Sequence, residues 1–169
     1  MRKASSWLGW HRAVPLRKIL VLSVVDTFAS LSPAIDARRN YRGSDVVETL
    51  GRVAVEIGYL NTICLDYGPE FVSKELDLWA FVKGMTLYFS RPEKPTDNAF
   101  IESLNGKFRP ECLNANWFLS LYEARRKCEA WCKDYNEVRP HSAIGNKVPM
   151  ELRRAAASPS SHPLDGAII

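Results

Sequence analysis

Acidic residues are missing from the first 25 positions of this chain. Arg2, Lys3, Arg12, Arg17 and Lys18 give that head a charge of +5, while everything after it sums to −1. A net charge of +4 permits a nucleic-acid partner without requiring one. Long hydrophobic runs are missing too. The longest uncharged stretch of this kind, Ile19 to Val25, falls far short of the ~20 residues that a membrane-spanning helix needs. A basic start followed by such a run imitates a secretory leader, but Asp26 ends the run and no small-residue cleavage site follows. Cys64, Cys112, Cys128 and Cys132 form no C-x-x-C pair. Cys128 and Cys132 lie four apart, which on a helix is one face rather than a zinc knuckle. Buried thiols in a reducing compartment are the expectation, and the expected location is cytoplasmic. With 9 glycines and 10 scattered prolines the chain is not collagen-like. Its 169 residues, 46% of them hydrophobic, suit one domain with a real core.

The pattern along the chain reads as α/β. Residues 1–18 show no hydrophobic period and suggest no regular element. Residues 19–25 are apolar and largely β-branched, a buried strand, and Ser32 to Ala37 pairs with them as a hairpin. Val47, Leu50, Ala54 and Ile57 mark a helix with Ser44 as its expected N-cap and Gly58 as its stop. Thr62 to Leu65 is a short strand that delivers Asp66 at its end. Ser73 caps a second helix carrying Leu76, Ala80 and Phe81, and Gly84 follows it. Met85 to Phe89 is another strand, and Ser90 to Pro95 a loop, because two prolines deny both helix and central strand. Asp97 starts a helix whose buried side is Ile101, Leu104 and Phe108. Ser120 with Glu123 forms a capping box for a last helix bearing Leu121, Ala124, Cys128, Trp131 and Tyr135. Residues 155–169 read as a loose Ala-, Ser- and Pro-rich tail. This order of elements predicts a mixed sheet flanked by helices.

Two carboxylates attract notice. Asp66 follows a buried strand and opens into Tyr67-Gly68-Pro69, and ligands of α/β sheets gather at such strand ends. Glu102 shares an expected polar helix face with Asn105 and Arg109. Taken alone, Asp66 is equally a turn former and Glu102 a solvated helix residue.

Three blocks change the weighing. Leu65-Asp-Tyr-Gly-Pro-Glu-Phe71, the stretch from Phe89 through Arg91-Pro-Glu-Lys-Pro-Thr-Asp-Asn98 to Gly106, and Tyr135-Asn-Glu-Val-Arg-Pro-His-Ser-Ala143 occur in this order, with 35 residues between Asp66 and Glu102. In these blocks the chain resembles the integrase-core transposases of bacterial insertion sequences, cousins of retroviral integrases, over about residues 19–153. The resemblance implies a ribonuclease-H-like fold and attack on DNA phosphodiesters by water or a 3′-hydroxyl. It also implies three carboxylates holding Mg²⁺ (or Mn²⁺), hard cations that prefer oxygen ligands. By that resemblance Asp66 matches the second carboxylate and Glu102 the third, both as catalytic residues and as metal ligands. Asn105, Lys107 and Arg109 match the helix that lies along the DNA end, and Arg91 and Lys94 the loop that approaches DNA. The implied partners are transposon-end and target DNA, together with intact transposase or a second copy of the chain. Arg139 and His141 belong to a motif typical of the family, with a structural role expected for His141.

The pattern breaks at the first carboxylate, which the family carries on its first strand. Residues 1–18 contain no acid, and Asp26 aligns with a position that is not a ligand. Using Asp26 instead would require a register slip that flips every side chain of the strand. Tyr67 stands where Asn is usual, and Glu93 where Gly is usual. The expectation is therefore a transposase fragment with an inactive site: residues 1–18 a basic, out-of-frame head, residues 19–154 the core, residues 155–169 the tail. The alternative expectation is a non-catalytic DNA-binding or transposase-inhibiting remnant.

Overall fold

The computed structural model describes residues 2–7, 19–90 and 99–156, and the first of these segments by its backbone alone. Five strands, β1 (Arg2–Trp7), β2 (Leu20–Asp26), β3 (Leu31–Arg38), β4 (Thr62–Leu65) and β5 (Thr86–Phe89), form one sheet in the order β3-β2-β1-β4-β5. The first three run antiparallel in sequence, and β4 and β5 continue the sheet in parallel from β1. The helices are α1 (Gly43–Ile57), α2 (Lys74–Val82), α3 (Ala99–Phe108), α4 (Leu121–Glu137) and α5 (Pro149–Ala156).

Alternation along β2 divides the core. Leu22 and Val24 face α1 and α2, where they pack with Val46, Leu50, Val53, Leu76 and Phe71. Val21 and Val25 face the other way, onto Ile101, Leu104 and Phe108 of α3 and Ala124, Cys128 and Trp131 of α4. Burial of these two faces drives the fold, at about 25 cal/mol per Å² of apolar surface removed from water. Gly43 brings the start of α1 against α2, since a Cβ there would sit 2.1 Å from the Ser73 hydroxyl oxygen.

Three expectations need correction. Residues 1–18 do carry a strand: β1 lies between β2 and β4 at the centre of the sheet. Its sequence, Arg-Lys-Ala-Ser-Ser-Trp, lacks the alternation that marks a strand locally, and pairing on both sides supplies what propensity does not. The N-cap of α1 is Arg42 rather than Ser44, and its N–H donates to Asp45 Oδ2 at 2.8 Å. Helix α5 has no counterpart in the sequence reading and ends at Ala156, inside the stretch assigned to the tail. The caps and stops at Ser73, Ser120 and Gly58 hold, Phe81 of α2 is exposed rather than packed, and the expected loop beyond Ser90 and helix start at Asp97 lie outside the described residues. The Ser73 hydroxyl accepts the Leu76 N–H at 3.2 Å, and that of Ser120 accepts the Glu123 N–H at 3.1 Å. Gly58 takes a φ of 84° beyond α1, the left-handed region that favours glycine. The four cysteines are free, and no helix among the described residues is long and apolar enough to cross a membrane.

Candidate active site at the carboxyl end of strand β4

Asp66 sits one residue past β4, half-buried, and its Oδ1 accepts the Gly68 N–H at 3.0 Å in a tight turn. The turn is closed by the Phe71 and Val72 N–H groups, which both donate to the Gly68 carbonyl. Burial pushes the Asp66 carboxyl up to about 6, Glu70 nearby adds to the rise, and the Gly68 N–H opposes it. Glu70 was not singled out from the sequence; its place four residues after Asp66 in a turn was the available signal.

The register fixes which face of the sheet Asp66 belongs to. Cys64 pairs with Lys3, and Lys3 with Val25. Val25 packs in the cluster under α3 and α4, whereas Ile63 and Leu65 pack on the opposite side. Alternation therefore assigns Cys64, and Asp66 two residues on, to the face that α3 covers. Glu102 is exposed in the first turn of that helix. The same register sets Ser5 opposite Ser23 of β2.

Helix α3 does not present the expected polar face. Glu102 and Lys107 are exposed and Arg109 is half-buried, but Asn105 is only 5% exposed. It lies four residues after Ile101 and beside Leu104 and Phe108, so the buried stripe runs 101, 104, 105, 108. Its Oδ1 has no hydrogen-bond partner, and neither has the hydroxyl of the fully buried Ser23. Sequence reasoning passed over Ser23 because it lies in an otherwise apolar strand. Lys107 stands over the Tyr135 ring at 5.8 Å. Arg91 and Lys94 lie outside the described residues.

Asp26 cannot replace the missing carboxylate. It pairs with Arg2, three rows along the strand from Ser23, a distance of about 10 Å. It is fully buried, accepts the Phe28 N–H at 3.0 Å and faces the Arg153 guanidinium at 3.5 Å. The Arg139–His141 motif is structural. Arg139 binds Asp134 at 2.5 Å and also Glu111, which accepts the Trp131 indole N–H at 2.8 Å. The His141 ring lies 3.1 Å from the Tyr135 carbonyl oxygen and meets the Tyr135 ring edge-on at 4.3 Å. Burial holds His141 below its ordinary value. These contacts fasten the end of α4 to the turn at 109–113 that follows the helix bearing Glu102.

A two-ion centre does not fit this donor set. Strand β1 offers no carboxylate, and no group of three or more His, Cys, Asp or Glu residues placed to hold a metal occurs among the described residues. Asp66 and Glu102 alone leave the charge of two divalent ions poorly compensated.

Comparison with known proteins agrees with the architecture. Residues 83–149, which include Glu102, match the integrase core domain family. The chain is 46% identical over 136 residues to a 31.7 kDa protein of insertion element IS407 from Burkholderia multivorans, covering 80% of this chain and 49% of that one. It is 42% identical over 136 residues to a 39.2 kDa protein of insertion element IS476 from Xanthomonas euvesicatoria, covering 80% and 39%. It thus spans about half the length, or less, of the curated relatives it matches. Among solved structures, a chain of the simian T-cell lymphotropic virus intasome superposes with a TM-score of 0.76 at 17% identity, covering 96% of this chain and 56% of that one. The catalytic core domain of BIV integrase superposes with a TM-score of 0.69 at 14% identity, covering 91% and 94%. The fold is ribonuclease-H-like, residues 83–149 match the integrase core domain, and over most of its length the chain is similar to proteins of bacterial insertion elements.

Proposed function

We propose that this chain is a fragment of a DNA transposase, built on the integrase core for DNA integration and transposition, and that it lacks strand-transfer activity. The observation that carries the reading is the sheet order β3-β2-β1-β4-β5 with Asp66 past β4 and an acid-free β1 at the centre. Asp66 and Glu102 are the retained carboxylates of a phosphodiester-cleaving site. Lys107 and Arg109 on α3 and its extension, with Arg91 and Lys94, contact phosphates; Asn105 acts from within the fold. Phosphate contacts of this kind give affinity that falls steeply with salt and reads little sequence. Residues 2–7 supply the central strand of the core, and residues 19–156 carry the rest of it. The catalytic cores of relatives such as HTLV-2 integrase are known with magnesium and in dimeric form, which supports a divalent ion and self-association in the ancestor. The lack of a carboxylate on β1 favours one further role, binding DNA or an intact transposase without catalysis.

The test is to incubate the purified chain with Mg²⁺ or Mn²⁺ and DNA carrying the terminal repeats of an IS407-type element. The expected result is salt-sensitive DNA binding with neither nicking nor joining. Robust joining would contradict the inactivity, and absence of DNA binding at low salt would contradict the function.

A further inference from the structure

Tyr67 is a departure from the motif around Asp66 that the proposed function leaves unused. It is 63% exposed, yet its ring is not loose: it stacks on Phe89, with centroids 5.4 Å apart and planes 27° from parallel. The fold builds this pair. Phe89 of β5 is the register partner of Leu65, and Tyr67 lies two residues past Leu65, on the same face by alternation. Phe89 is half-buried against the cluster that holds Leu65, Phe71 and Leu76. The backbone after Tyr67 is fixed as well, by the Gly68 N–H on Asp66 and by the Phe71 and Val72 N–H groups on the Gly68 carbonyl. One face of the ring is thus covered by Phe89 and the other is open to solvent. The other ring–ring contacts among the described residues join Phe108, Trp131, Tyr135 and His141, all buried.

A pre-ordered aromatic face with one side open suits a flat ligand. Its position narrows the choice. Consecutive Cα atoms lie about 3.8 Å apart, so the ring begins one residue from the candidate carboxylate. Asp66 precedes Tyr67 and Glu70 follows in the same turn, which makes the spot poor for a phosphate. A nucleobase carries no charge, and every base has a π-face that stacks on an aromatic ring. Within a duplex those faces are already stacked on neighbouring pairs, so an unpaired nucleotide is the one that can offer its own.

We infer that the open face of Tyr67, backed by Phe89, is a stacking site for an unpaired nucleobase of a DNA strand lying at Asp66. The inference rests on the DNA-binding reading above and goes beyond it by naming the single-stranded form and the residue that selects it. Phosphate contacts hold any strand; the ring adds affinity only where bases are free.

Fluorescence anisotropy of the full chain at low salt tests this with three labelled probes: an oligothymidylate, a strand of equal length whose sugar-phosphate backbone carries no bases, and a duplex. The first two carry the same phosphate charge, so a difference between them reads the bases. The natural chain is expected to bind the oligothymidylate at least about 5-fold more tightly than the abasic strand. Tyr67→Leu, which still covers Phe89, should erase that difference and leave duplex affinity unchanged, and Tyr67→Phe should keep it. A second measurement needs no substitution: nitration of Tyr67 by tetranitromethane, read by peptide mass spectrometry, should be slowed by the oligothymidylate and not by the abasic strand. Equal affinity for the two strands, a preference that survives in Tyr67→Leu, or nitration of Tyr67 that the oligothymidylate does not slow would each overturn the stacking site while the DNA-binding reading stands. Failure of all three probes to bind would overturn that reading and the inference with it.

Discussion

The two sides of the sheet treat polar groups in opposite ways. Where β3 meets α1, the half-buried charges of β3 are answered. Asp36 Oδ2 accepts Arg38 Nε at 2.7 Å, the Tyr41 hydroxyl at 2.5 Å and Thr49 Oγ1 at 3.1 Å. Arg38 also reaches Asp45 at 2.8 Å and Glu48 at 3.1 Å. Under α3, by contrast, Ser23 and Asn105 lack partners, and Asp66 is held by one backbone N–H in a setting that disfavours its charge. A network with all members paired fastens strand to helix. Unpaired buried groups weaken a fold, and proteins tolerate them chiefly at functional sites. The difference separates scaffold from site without reference to any relative.

Breaking the closed side should have the largest effect. Burial pulls the Asp36 carboxyl up, but the hydrogen bonds of Tyr41 and Arg38 and the charges of Arg38 and Arg52 outweigh it, leaving the group below its ordinary value. Asp36→Ala removes the hub: Thr49 loses its acceptor, Tyr41 keeps only the Asp36 carbonyl, and Arg38 keeps only Asp45 and Glu48, at a cost of about 2–4 kcal/mol at pH 7. Because the native carboxyl is depressed, this stabilisation is present above the ordinary carboxylate range and is lost as pH falls through the lower native value. Urea unfolding at pH 7 and in acid should show a large gap that narrows. A gap of equal size at both would show that packing, not charge, holds this corner.

Asn136 offers the next test, on the edge of the sheet. Its side-chain oxygen accepts the Ser32 N–H at 2.8 Å and its Nδ2 donates to the Ser32 carbonyl at 2.7 Å. This mimics a neighbouring strand on β3, an edge strand of the sheet, and edge strands are prone to pair with other chains. Asn136→Ala should lower stability by about 2 kcal/mol, since the Ser32 N–H loses its partner and the Ser32 carbonyl keeps only the weak thiol donor of Cys132. It should also raise aggregation, read by light scattering during refolding. Unchanged scattering would mean that α4 covers the edge without this side chain.

How much of this was legible before the structure depended on whether the signal was local. Strand β2 announces itself as a continuous apolar, largely β-branched run, and helices α1 and α4 because their buried residues recur at the helical period. Asp66 and Glu102 were visible through the motifs around them. Strand β1 was not, because Arg2 to Trp7 contains no alternation and its position comes from neighbours that pair with it from distant parts of the chain. Helix α5 is only eight residues long, three of them charged; Pro149 at its first position was the one mark of its start. Asn105 was assigned to the wrong face because polarity was taken as exposure, although its four-residue spacing from Ile101 placed it in the buried stripe. The unpaired state of Ser23 is invisible in sequence, since it is a property of what surrounds it.

The smallest expected effect sharpens the comparison most, because its sign is opposite. The Asp66 carboxyl titrates near 6 in the folded chain, mainly through burial, against about 3.9 when unfolded. Between those values the folded state binds more protons than the unfolded one, so this group's contribution to stability falls as pH rises and is fully adverse above 6. Asp66→Asn keeps the side-chain oxygen that accepts the Gly68 N–H and abolishes the charge. It should therefore stabilise the chain at pH 7.5 by about 1 kcal/mol, allowing for partial solvent screening, and leave it unchanged near pH 4. Tm measured for both proteins at the two pH values reads this directly. A lower Tm for Asp66→Asn at pH 7.5 would place Asp66 with Asp36 among the groups that hold the fold, and the division between a paired scaffold and an unpaired site would fail at its central residue.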